Sequence, residues 1–443
     1  MDHDQQSCES IVRALRRGLV PAQGLERIAV GLTDELSRVR RDLEYSKSGG
    51  AWVRFFSGQY GTGKTFLCSL VREMAWHEGF VVAAIVLGSE APLHKFEIIY
   101  HRIMEGMRTD HVRDVPAFEF IVQEWLFRLE QEVWETMGLN PLDPQHWGKI
   151  AGIIAQQINA QLRRLHVYNS SLASALQAYY LAVHQGSNPM IATAAGWLKG
   201  EPDLPAELCK ALGIREAIEK GNAFDFLQAM ATLVVHIGYA GLVVICDEAE
   251  MIRGISRPDS RYAACENIRL LMDKTAHCEL PHCGFIFAAT ENLFHEDLQS
   301  IASYRPSSGR LKRERVTREA TGGQQPVIAL KRFDQSKLYE IVLNVRDLHG
   351  VAYGWDPTER LTDGLLQLWM KEMAGRFGAK FETIPRGFLK VFVDILDALE
   401  HHPHYSAAEV LAQGVDPDHI EEIEREEAHL LHPSCEEMGS RCP

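Results

Sequence analysis

Apolar residues recur along this chain in two rhythms, and the places where the rhythm changes mark its organisation. From residue 9 to 47 they return at helical spacing, with a break at Gly18 to Gly24 around Pro21. Leu25, Ile28, Leu32, Leu36, Val39 and Leu43 share one face of the second part. Gly49-Gly50 interrupts, and Trp52-Val-Arg-Phe-Phe reads as a strand. A further helical stretch, Lys64 to His77, carries Phe66, Leu67, Leu70, Val71, Met74 and Ala75 on one side and stops at Gly79. Phe80 to Leu87 is then continuously apolar, as a strand buried on both faces requires.

From about 93 to 236 the spacing is helical again, with long amphipathic runs such as Phe118 to Met137. Trp125, Trp134, Trp147 and Trp197 fall there and read as core anchors rather than base-stacking platforms. The strand rhythm resumes at Gly241-Leu-Val-Val-Ile-Cys-Asp-Glu, at Gly284-Phe-Ile-Phe-Ala-Ala-Thr and at Pro326-Val-Ile-Ala-Leu. Residues 334–400 return to helix, and 401–443 form an acidic tail with prolines and histidines, expected to be largely mobile. Strands separated by helices predict an α/β fold with a parallel sheet flanked by helices. The expected domains are a helical segment 1–50, a core 51–333 holding a helical insertion at about 93–236, and a helical lid 334–400.

Composition changes this picture little. At 443 residues the chain can hold two or three domains, and no apolar run approaches the length that spans a bilayer. The polar, acidic start Met1-Asp-His-Asp-Gln-Gln does not read as a signal peptide, so a cytoplasmic protein with reduced cysteines is expected. His277, Cys278, His282 and Cys283 are metal-binding types, but they are bunched too closely for the two separated pairs of a zinc site. The net charge of −14 means that any contact with double-stranded DNA must come from a local patch. Arg305 to Arg318 is the candidate, with a solvated charged face as the plainer reading.

The strongest chemistry lies in Gly58-Gln59-Tyr60-Gly61-Thr62-Gly63-Lys64-Thr65, a complete phosphate-binding loop between a strand and an amphipathic helix. Its glycines let the backbone turn tightly and aim N–H groups at phosphate oxygens, and the helix adds its positive end. Lys64 supplies a cation for the β- and γ-phosphates of ATP, and the Thr65 hydroxyl is a Mg²⁺ ligand. The second half of such a site is Val243-Val-Ile-Cys-Asp247-Glu248, an apolar strand running into paired acids. Asp247 serves Mg²⁺, and Glu248 orients and deprotonates the attacking water. Thr290, at the end of another strand, can hydrogen-bond the γ-phosphate or that water.

An acidic strand, a strand ending in a polar residue and a following helical region together resemble the AAA+ class of ATPases. The resemblance implies that Thr290 senses the γ-phosphate. It also implies that Arg386, in Ile384-Pro385-Arg386-Gly-Phe-Leu, is the sensor arginine of the lid. An arginine reaching a neighbouring subunit's nucleotide is Arg310 or Arg305, which implies a homo-oligomer. More specifically, several segments resemble the BREX-system ATP-binding proteins of the BrxC/BrxD type. They are Arg17 to Gly31, the Gly58–Thr65 loop, Pro92 to Tyr100, Gly196 to Glu201, Gly238 to Glu250 and Pro385-Arg386. These matches run from about residue 10 to 400, and the chain's length points to the BrxD member. The resemblance implies a phage-defence ATPase working with other BREX proteins, with Leu19 to Ile28 bordering the adenine. Asp247-Glu-Ala-Glu250 also looks like a helicase box, but helicase loops usually begin with alanine where Gly58 stands. A nucleotide-gated scaffold with little turnover is the alternative of a different class.

Overall fold

The computed structural model describes residues 3–138, 147–167, 169–294, 325–332, 334–377 and 385–413. Helices α1 (His3–Arg16), α2 (Thr33–Lys47) and α3 (Lys64–His77) alternate with strands β1 (Trp52–Ser57) and β2 (Val81–Val86). After α4 (Phe96–Gly106) and the two-residue β3 (Met107–Arg108) come α5 (Phe118–Met137), α6 (Trp147–Arg164), α7 (Ser170–Gln185), α8 (Asn188–Lys199), α9 (Ala206–Ala211) and α10 (Ala223–Ile237). The sheet then continues with β4 (Leu242–Asp247), α11 (Pro258–Ala276), β5 (Cys283–Ala289) and β6 (Val327–Ala329). The last described elements are α12 (Gln335–Tyr353), α13 (Asp363–Phe377), α14 (Pro385–His401) and α15 (Ala407–Gln413). Part of the stretch read as tail is thus helical, and Leu411 is buried.

The chain forms two compact units: Met1–Leu36, Gly58–Leu70 and Ala329–Pro443 make one, Ser37–Ser57 and Val71–Ile328 the other. The larger unit is built on the sheet, whose strand order is β3-β2-β4-β5-β1-β6. β2, β4, β5 and β1 run parallel, and the short β3 is antiparallel to its neighbour β2. This is the mixed α/β, P-loop NTPase-like fold that the alternation of elements predicts. The order is less obvious from sequence: β1 and β2, joined through the phosphate loop and α3, are separated by β4 and β5.

The central strands β4 and β5 are apolar because both faces are covered, whereas β2 leaves Ala84 and Val86 exposed, and the charged residue on β1 is satisfied. Arg54 on β1 is buried, yet its guanidinium grips the Asp42 carboxylate at 2.6 and 2.7 Å and reaches the Gln325 carbonyl at 2.6 Å. Paired and hydrogen-bonded, that charge is tolerable out of water. The helices between β2 and β4 wrap a core continuous with the sheet, in which Trp125, Trp134 and Trp197 are buried. The indole N–H of Trp125 donates to His236 and that of Trp197 to the Glu216 carbonyl, which a core role requires. The Trp147 side chain lies outside the described residues.

The smaller unit has its own core, from Ile11 and Val12 on α1 to Val342 and Val345 on α12 and Phe392 and Leu396 on α14. A polar network is set into it. Asp397 accepts hydrogen bonds from Nε and Nη2 of Arg16, each at 2.7 Å, and from Nε2 of the fully buried His349 at 2.9 Å. The indole N–H of Trp355 donates to Nδ1 of the same histidine at 3.0 Å, which fixes the neutral tautomer.

Candidate functional site

The phosphate loop leaves β1 at Ser57 and ends where α3 begins. Gly61 and Gly63 hold φ of 78° and 85°, a region that side chains with a Cβ avoid. Gly58 is constrained by space instead: a Cβ there would meet the Thr62 hydroxyl at 2.4 Å. Thr62 is itself fixed, its Oγ1 donating to the Gln59 carbonyl at 2.8 Å. The Lys64 ammonium donates to the Gly58 and Gln59 carbonyls, each at 3.1 Å. A bound phosphate would compete for that ammonium with two neutral acceptors, a contest a charged oxygen wins.

Beside Thr62, within the smaller unit, lies a cavity of about 200 Å³ lined by Val30 to Glu35, Lys331 and Lys337. Its two lysines, Lys331 and Lys337, are not among the residues that the sequence pattern singles out. Lys337 is positioned because Asp334 caps α12, its carboxylate accepting the Lys337 N–H at 2.9 Å. Gly31, at φ 68°, leaves room for the lysine stem: a Cβ there would come within 2.5 Å of Lys337 Cε. Arg332 donates to the Gln59 side chain. The only available signal was the basic pair Lys331-Arg332 following the apolar Val327–Ala329 strand.

In the larger unit the acidic pair ends β4. Asp247 accepts its neighbour Glu248's backbone N–H at 2.9 Å, and its own carbonyl accepts the Leu87 N–H at 3.0 Å. Glu248 has φ 58° and ψ 37°, a left-handed conformation that costs a non-glycine residue about 1–2 kcal/mol and opens a short 3₁₀ turn, Ala249–Gly254. Such strain concentrates where a side chain must be aimed. Burial pushes the adjacent Cys246 thiol up to about 12, with the Asp247 charge adding to it, so that cysteine stays protonated and inert.

The register places Ser57, Ala289 and Asp247 at the same end of their parallel strands. Ser57 of β1 pairs with Ala289 of β5, Cys246 of β4 pairs with Phe287 of β5, and Asp247 pairs with Val86 of β2. β5 therefore lies between the strand that leads into the phosphate loop and the strand that carries Asp247. Thr290 follows directly on the end of β5, at the carboxyl edge where open α/β sheets bind ligands. The Thr65 hydroxyl and the Asp247 carboxylate are each an oxygen donor of the type Mg²⁺ takes.

Arg305, Arg310 and the whole basic run 305–318 lie outside the described residues. Arg386 is the second residue of α14, and its side chain is likewise outside them. No described helix is long and apolar enough to cross a membrane. Compared with known families, residues 4–414 match a family model described as "BREX system ATP-binding protein BrxC/D", which covers both members without separating them. No curated protein matches the sequence.

Proposed function

This chain belongs to the BREX system ATP-binding proteins BrxC/D, and we propose that it is an AAA+-type ATPase that turns over ATP with Mg²⁺. Membership of the family supports ATP binding and a role in BREX phage defence. Hydrolysis is our reading, and the observation that carries it is the strand order. The strand that leads into the loop, the strand followed by Thr290 and the strand that carries Asp247 are consecutive neighbours, β1, β5 and β4.

Gly58 to Thr65 wrap the phosphates, with Lys64 exchanging its loop carbonyls for β- and γ-oxygens. Thr65 and Asp247 would hold Mg²⁺, which would supply positive charge to offset that developing on the phosphates. Glu248 orients the attacking water and takes its proton, and Thr290 hydrogen-bonds the γ-phosphate or that water. Val30 to Glu35 border the nucleoside, with Lys331 and Lys337 as additional cations. Arg386 reads the nucleotide from the lid, and Arg310 or Arg305 completes a neighbouring subunit's site in a homo-oligomer. Hydrolysis then remodels a complex with other BREX components, with duplex DNA meeting Arg305 to Arg318.

Replacing Glu248 with glutamine tests this reading. ATP binding, measured by filter retention, should stay within a factor of two, while steady-state phosphate release falls by about 10²–10⁴-fold. Unchanged phosphate release in Glu248→Gln would instead favour a nucleotide-gated switch whose slow turnover has another origin.

A further inference from the structure

We propose that Arg253 is a positioning residue for hydrolysis, holding the turn that begins at Glu248 against the turn that follows Thr290. The inference rests on the ATPase reading above and gives Arg253 no contact with nucleotide or metal. The sheet itself stops short of these two groups. Pairing of β4 with β5 runs as far as Cys246 and Phe287. Asp247 pairs with Val86 of β2, and Ala289 with Ser57 of β1, each on the side away from the other. The two strands then lead separately into 3₁₀ turns, Ala249–Gly254 after Glu248 and Glu291–Phe294 after Thr290.

Both turns are anchored in the core of the larger unit, the first by Ala249 and Ile252 and the second by Leu293. Leu293 also donates its N–H to the Thr290 carbonyl at 3.1 Å, and the Phe294 ring stands edge-on to Phe55 of β1 at 5.7 Å. Burial of apolar groups is non-directional, so it fixes the depth of a turn but not the way it faces. A hydrogen bond is directional, and Arg253 supplies one between the turns. Its Nη1 donates to the Asn292 carbonyl, joining positions 39 residues apart. Arginine suits such a tie because its planar donor group loses little entropy for each bond formed.

Glu248 gives the tie its consequence. Its left-handed backbone, φ 58° and ψ 37°, persists only where the surrounding contacts over-determine it. The Glu248 carbonyl accepts the Met251 N–H at 3.0 Å, so Glu248 and the turn carrying Arg253 move as one piece. Released from Asn292, that piece can rotate on its apolar anchors and swing the carboxylate away from the water it is to deprotonate. A displacement of about 1 Å at a reacting group costs about a hundredfold in rate.

Steady-state phosphate release by the full chain, with ATP and ADP binding by filter retention, tests the assignment. Arg253→Met keeps the apolar stem and removes every donor. It should lower kcat by about 10- to 100-fold, leave KM for ATP within a factor of about two and melt as the wild type does. Arg253→Ala should lower kcat to the same degree. In a Glu248→Gln background, adding Arg253→Met should slow single-turnover hydrolysis by less than about twofold, because no carboxylate is left to aim. Wild-type kcat in Arg253→Met, or a loss confined to Arg253→Ala, overturns the proposal. So does a fully multiplicative loss in the double variant. ATP affinity weakened about tenfold with ADP affinity unchanged would make Arg253 a nucleotide contact and overturn it as well. Glu248→Gln by itself keeps the two readings apart. Wild-type turnover in that variant removes the role of Glu248 and this inference with it. Lost turnover there, with wild-type kcat in Arg253→Met, removes this inference alone.

Discussion

Helicase-type loops usually begin with alanine, and the geometry around Gly58 shows what an alanine would meet in this loop. An alanine methyl would stand 2.4 Å from the Thr62 hydroxyl, which is held in place by the Gln59 carbonyl. Something must shift, and overpacking of that kind costs about 1–3 kcal/mol. Gly58→Ala should therefore weaken ATP binding by roughly 5- to 150-fold, that cost expressed as affinity. Adding Thr62→Ala should recover part of the loss, since the clashing oxygen is gone. Strictly additive losses in the double variant, measured by equilibrium titration, would show that the two side chains do not meet. At this scale the sequence was most informative where chemistry is local. A phosphate cradle is made by consecutive residues, so its spacing could be read directly. Lys331 and Lys337 could not be found this way, because their approach to Thr62 depends on the Asp334 cap and the room left at Gly31.

Elements were legible wherever one face meets one core. The Lys64–His77 helix and the Val81–Val86 strand lie where their patterns put them. The run from Leu25 to Leu43 misled because its single helical face is divided between the two units. Ile28 packs in the smaller unit and Val39 and Leu43 belong to the larger one, and only a 3₁₀ turn, Leu25–Arg27, precedes the helix that starts at Thr33. Gly24 and Gly31, at φ 71° and 68°, break the continuity. Strand order was illegible for a similar reason, since pairing is decided between segments far apart in the chain.

The network joining α1, α12 and α14 carries a pH dependence at this same scale. Burial alone would raise the Asp397 carboxyl, but hydrogen bonds from His349 and Arg16 outweigh it and hold the group below its ordinary value of 3.8. A depressed native value means that the contribution is fully present above the unfolded-state value and is lost as pH falls through the native one. Asp397→Asn should thus destabilise the protein by about 2 kcal/mol at neutral pH. The gap to wild type should stay constant down to about pH 5 and close below about pH 4. A gap that persists unchanged at pH 3 in chemical denaturation would remove Asp397 from acid sensitivity.

For the whole molecule, family and fold were legible because many short segments agree across nearly the whole length, whereas turnover, assembly and DNA contact depend on surfaces that no single pattern encodes. Charge constrains them all the same. Protomers of net charge −14 repel one another, and salt screens that repulsion within about 10 Å at 0.1 M. Assembly driven by ATP should accordingly persist or strengthen as salt rises. Duplex DNA held by Arg305, Arg310, Lys312, Arg313, Arg315 and Arg318 should behave in the opposite way. Six phosphate contacts give log K a slope against log salt of roughly −5, so raising salt from 50 to 200 mM weakens binding by about 10³-fold. Mass photometry with ADP, ATP and ATP plus DNA, repeated at the two salt concentrations, reads both effects together. Serine at Lys312, Arg313, Arg315 and Arg318, which spares Arg305 and Arg310 for the neighbouring subunit's site, should weaken the DNA-bound species at least about a hundredfold and leave the ATP-dependent one intact. An ATP-dependent species that dissolves at high salt, or a DNA-bound species indifferent to salt, would place the contacts elsewhere.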